Sequence, residues 1–92
     1  MKILLLGSGA REHALTRTLV ADPATTELVV VPGNPGIAEI ATTFKADPSS
    51  ASDVTALTEF FKTIFPELIV SFNNEYLNNL SELYFLPKAV LF

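Results

Sequence analysis

The chain has 92 residues, 49% hydrophobic and 17% charged, with a formal net charge of −4 and no Cys. This length and composition predict one folded domain with a modest core and exclude disorder. The acidic balance argues against a non-specific nucleic-acid partner, which needs a basic face, and the missing Cys excludes disulfides and thiolate metal sites.

The first element in the chain is the apolar run at residues 3–6, bounded by Gly7. Such a run reads as a strand buried on both faces, as in a parallel sheet. Gly7 arrives too soon for the run to be a signal peptide. No apolar stretch approaches the roughly 20 residues of a membrane span, so the expectation is a soluble cytoplasmic protein without a membrane partner. A helix follows, with Ala14, Leu15, Thr18 and Leu19 expected on its buried face and Glu12, His13 and Arg17 on its polar one. Pro23 closes it.

Residues 28–31 form a second buried strand, followed by the dense turn Pro32-Gly33-Asn34-Pro35-Gly36. Residues 42–46 are expected as a short third strand. Ser52 or Asp53 caps a helix carrying Val54, Leu57, Phe61 and Ile64 at helical spacing, and Pro66 ends it. Residues 68–70 are the next strand. Asn73 or Asn74 caps a further helix through Tyr76, Leu77, Leu80, Leu83 and Tyr84. Residues 89–92 read as a last strand. The alternation predicts an α/β fold, an open parallel sheet with helices on both faces and ligands at the carboxyl ends of its strands. The seven Phe are read mainly as core, with some apolar surface reserved for a neighbour.

Two segments carry chemistry. Gly7-Ser8-Gly9 between a strand and a helix places flexible backbone and helix N–H donors beside a ligand, which predicts a phosphate or phosphoribosyl group. Arg11 adds a charge-assisted donor. Glu12 suits the helix dipole even without a function. His13, the sole His, excludes a histidine metal cluster. The turn at residues 32–36 is the second segment, read as a rigid turn or as another wall of the same site. A nicotinamide cofactor is disfavoured. Glu12 stands where a third fingerprint glycine belongs, and the second strand ends in Val31-Pro32-Gly33 rather than an acidic residue. A Walker-type loop is absent.

Gly7-Ser8-Gly9-Ala10-Arg11-Glu12-His13-Ala14-Leu15, with Pro32-Gly33-Asn34-Pro35-Gly36 downstream, resembles the N-terminal domain of the glycinamide ribonucleotide synthetase (phosphoribosylamine–glycine ligase) family. The likeness covers most of residues 1–70. It implies a Rossmann-like pre-ATP-grasp domain over residues 1–92, the first part of a ligase that joins glycine to 5-phosphoribosylamine in purine synthesis. It implies substrate-binding roles for Gly7, Gly9, Arg11, Glu12, His13, Gly33, Asn34 and Gly36. It also implies that ATP, Mg or Mn and glycine bind in later domains, so that this chain holds no cofactor and is not a catalyst alone. Where the family has Gly-Pro-Glu, this chain reads Ser71-Phe72-Asn73-Asn74-Glu75. The family glutamate's place then falls to Glu75 with a local shift, or to Asn74. The chain is expected to be a truncated piece whose partners are a phosphoribosylamine-type small molecule and the absent ATP-grasp domain or an associated subunit. The alternative expectation is a non-catalytic remnant serving only as a folding or association module.

Overall fold

Residues 3–6 and 28–31 are apolar at every position because both faces of their strands are covered. In the computed structural model, which describes residues 1–47, 50, 53, 56, 59, 60, 68–71 and 88–91, they belong to β1 (Lys2–Gly7) and β2 (Glu27–Pro32). Helix α1 (Ala10–Ala21) lies between them in the chain. A one-turn helix, α2 (Pro35–Ala38), and strands β3 (Thr42–Thr43), β4 (Leu68–Ser71) and β5 (Lys88–Leu91) follow. The five strands form one sheet in the order β3-β2-β1-β4-β5, and every pairing is parallel.

Successive strand residues face opposite sides. Leu4, Leu6, Val29, Val31 and Ile69 therefore form one core with Ala46, and half-buried Phe44 and Phe60 pack on it. Ile3, Leu5, Leu28, Val30 and Val70 form the other with Ile37, covered by Leu15 and Leu19 of α1. Asp53, Ala56, Glu59 and Phe60 are helical, and Phe60 stacks on Phe44 with ring centroids 4.2 Å apart and planes 7° from parallel. Helical residues thus cover both faces, as the apolar runs required. The exposed large hydrophobic residues among those described are Met1, Val20 and Ile40, none of them a Phe.

Three details differ from the expectation. β3 spans two residues, not 42–46, because only Thr42 and Thr43 pair, with Val29 and Val30. The turn at residues 32–36 runs into α2. Asn34 caps this helix, and Pro35 occupies its first position, where a missing N–H is no loss. The buried face of α1 is rotated. Leu15 and Leu19 pack as expected, but Ala14 and Thr18 are exposed and Thr16 is fully buried. The Thr16 hydroxyl donates to the Glu12 carbonyl oxygen at 2.7 Å, so it enters the interior satisfied. Most of the helix expected after residue 52, the whole helix expected after residue 73 and Phe92 lie outside the described residues.

The chain crosses from β3 back over β1 to reach β4, so the strand order reverses beside β1. This switch point opens at the carboxyl ends of β1 and β4, where open α/β sheets bind ligands. Leu6 is paired with Ser71 and Gly7 with Pro32, so all three strands end level at this rim.

Candidate functional site at the carboxyl rim

The rim is built by the ends of β1 and β2 and the starts of α1 and α2. Gly7 ends β1 with φ +139°, a left-handed conformation that a side chain disfavours. The same position is blocked sterically, since an added Cβ would stand 2.4 Å from Glu12 Oε1 and 2.5 Å from its Cγ. Glu12 therefore lies over the backbone of Gly7. Its Oε2 accepts the Gly9 N–H at 3.1 Å, which is the reaching-back half of a capping box. Gly9 has no side chain to return the other half. Glu12 is only partly buried, and its Oε1 carries no hydrogen bond among the described residues yet remains in reach of solvent.

The second loop is fastened to the first. The Gly33 N–H donates to the Gly7 carbonyl oxygen at 3.0 Å, and the Asn34 side-chain amide donates to the Ser8 carbonyl oxygen at 2.8 Å. Asn34 Oδ1 accepts the Ile37 N–H at 2.9 Å and so caps α2. Gly33 has φ +71°, with Thr43 close beneath its Cα. His13 reaches across from α1, and a Cβ on Gly36 would come within 2.8 Å of its Cε1. Seven of the residues singled out from the sequence are thus linked through direct contacts: Gly7, Gly9, Glu12, His13, Gly33, Asn34 and Gly36. Arg11 is exposed on the first turn of α1. Adjacent helical residues do not face each other, so Arg11 and Glu12 occupy different positions around α1.

The expectation of bare loop amides is corrected at two positions. The Gly9 N–H is held by Glu12 and the Gly33 N–H by Gly7. A phosphate docked on Gly9 would also meet the Glu12 carboxylate. Two unit charges about 4 Å apart repel by ~1 kcal/mol in water and ~4 kcal/mol at the effective dielectric of a protein surface.

A family profile described as "Phosphoribosylglycinamide synthetase, N domain" matches residues 1–85. The chain belongs to this N-domain family. Curated relatives named phosphoribosylamine–glycine ligase agree with the assignment. The protein from Corynebacterium ammoniagenes is 49% identical over 70 residues, which is 76% of this chain and 16% of that protein. The Streptomyces coelicolor protein is 53% identical over 57 residues, 62% of this chain and 14% of that protein. The Mycobacterium tuberculosis H37Rv protein is 51% identical over 57 residues, with the same coverage. The chain thus spans about a sixth or less of the length of the relatives it matches.

In this N domain the third expected wall, Phe72 to Glu75, lies outside the described residues. Sequence reasoning missed Thr43, which supports Gly33, and the Ser8 carbonyl, which anchors Asn34. It also missed a shallow cleft beside the end of β2, lined by Pro32, Lys45, Ala46, Asp47 and Asp53. There Asp53 Oδ2 accepts the Asp47 N–H at 2.7 Å. The only signal in the sequence was the pair of acidic residues around a loop. No group of three or more His, Asp or Glu positioned for a metal occurs among the described residues, and no helix there is long and apolar enough to cross a membrane.

Asn34 has both a capping and a fastening role, and its removal separates the two loops. Asn34→Ala is expected to lower stability by about 1–2 kcal/mol. Asn34→Asp keeps the acceptor for Ile37 but loses the donor to Ser8, so it should fall between Ala and the natural residue. Urea unfolding of the three proteins checks the order.

Proposed function

We propose that this N domain forms the phosphoribosyl-binding wall of an ATP-dependent ligase that joins glycine to 5-phosphoribosylamine. The reading is carried by the fastening of the two motif loops at one rim, with Gly33 on Gly7 and Asn34 on Ser8. The relatives' shared name, phosphoribosylamine–glycine ligase, supplies the reaction. In that reaction the glycine carboxylate takes the γ-phosphoryl group of ATP to give an acyl phosphate and ADP. The amine of phosphoribosylamine then attacks the acyl carbon, inorganic phosphate leaves, and the amide nitrogen loses a proton.

ATP, a magnesium or manganese ion and glycine belong, in this proposal, to parts of the ligase outside these 92 residues. The contribution of this chain is positioning. A sugar phosphate held against a preformed rim presents its amine in one orientation, and orientation of this kind removes a large part of a bimolecular barrier. Gly7, Gly9, Glu12 and His13 form one wall, Gly33, Asn34 and Gly36 the other, and Arg11 supplies the cation for the phosphate. Glu75 is assigned to the third wall. The isolated chain is accordingly a binding domain and not a catalyst.

Titration of the 15N-labelled chain with ribose 5-phosphate tests the reading. Amide shifts are expected in residues 7–13 and 33–36. A chain whose amides stay in place at both loops, at millimolar ligand, overturns it.

A further inference from the structure

The geometry points to Glu12 as the residue that decides which end of the sugar phosphate faces the first loop, an inference that rests on the phosphoribosyl-binding reading above. The start of a helix normally welcomes an anion, because its first N–H groups lack partners. Here the anion is built in. The Glu12 carboxylate accepts the Gly9 N–H and covers the backbone of Gly7. A phosphate approaching Gly9 meets a fixed negative charge and finds its donor already engaged. The other carboxylate oxygen, Oε1, has no hydrogen bond among the described residues and is accessible to solvent.

The first loop therefore offers an acceptor to the ligand, and a ligand group with hydrogens to donate belongs there: a ribose hydroxyl or the anomeric amine. The phosphate is directed away from Gly9 and the Glu12 carboxylate that holds it. Glu12 in this role touches the ligand and orients it. The cap it forms on Gly9 and the acceptor it shows the ligand are two oxygens of one carboxylate.

The test compares inorganic phosphate with ribose 5-phosphate on the natural chain and on Glu12→Gln, read by amide shifts. Gln keeps an oxygen for the Gly9 N–H but replaces the outer oxygen with an NH2 donor. In the natural chain, ribose 5-phosphate should shift the amides of Gly7, Gly9 and Gly33, whereas inorganic phosphate at equal concentration leaves Gly9 and Ala10 in place. In Glu12→Gln, ribose 5-phosphate should bind about ten-fold more weakly, and inorganic phosphate should begin to move Gly9 and Ala10. A purely structural cap would not exchange these selectivities. Phosphate moving Gly9 and Ala10 in the natural chain overturns the inference without any variant. Unchanged ribose 5-phosphate affinity in a folded Glu12→Gln overturns it as well. Both of these results leave the loops as the binding site. Silence of both loops toward ribose 5-phosphate removes the phosphoribosyl-binding reading and this inference together.

Discussion

Leu5→Ala is expected to destabilise the domain by about 2–5 kcal/mol, the range for truncating a fully buried leucine whose site cannot collapse. Leu5 lies on the central strand, paired on one side with Val30 and on the other with Val70. It has no exposed surface, and Ile3, Leu28, Ile37 and the two paired valines share its core. The sheet fixes its backbone from both sides, so little can move in to fill the space. A domain of this size has only about 5–14 kcal/mol of stability. The single truncation thus removes at least about a seventh of it and at most nearly all of it, and the melting temperature should fall by about 8–40 °C. Leu15→Ala, on the half-buried face of α1 above the same core, should cost distinctly less. Urea denaturation of both variants checks the ranking. Equal losses would mean that the helix contributes as much to this core as the central strand does.

The same burial explains why the sheet was legible in the sequence. Residues 3–6, 28–31 and 68–70 are apolar at each position, and only a strand covered on both faces needs that. β3 was overextended because Phe44 and Ala46 look like strand residues. They are apolar because they pack under the sheet, and the ladder ends at the Phe44 N–H, which still donates to the Val30 carbonyl oxygen at 3.1 Å. α2 was hidden by Pro35 and Gly36, which read as breakers. A proline directly after a capping asparagine marks a helix start, and the Asn34–Ile37 hydrogen bond confirms that logic. Thr16 escaped notice because burial of a hydroxyl depends on a partner that sequence spacing does not reveal. That partner is the carbonyl of Glu12, one turn back.

The site was legible as a set of positions and not as an arrangement. The two motifs lie more than twenty residues apart, yet β1 and β2 are neighbours in parallel register, so the loops leaving them must meet. The glycines were expected to expose amides. In the structure Gly7, Gly33 and Gly36 instead make room for Glu12, Thr43 and His13, which lie against their backbones. Glu12, which stands where a third fingerprint glycine belongs, accepts the Gly9 N–H and lies over the backbone of Gly7.

Gly7→Ala should cost about 2–4 kcal/mol and should disrupt the rim more than any other single methyl group in the loops. Two terms add. The backbone at φ +139° strains any residue with a Cβ, at roughly 1–3 kcal/mol. The methyl group also falls within 2.6 Å of three atoms of the Glu12 side chain, so the carboxylate must leave Gly9, losing about 1 kcal/mol of capping and hydrogen bonding. A double-mutant cycle separates the terms. In a Glu12→Ala background the obstacle is gone, and the same Gly7→Ala change should cost only the backbone strain. The expected coupling is therefore about 0.5–1.5 kcal/mol, with the double variant more stable than the sum of single losses predicts. Thermal and urea unfolding of the four proteins give this number. Strict additivity would mean that Glu12 does not lie over Gly7, and the built-in anion at the start of α1 would have to be given up with it.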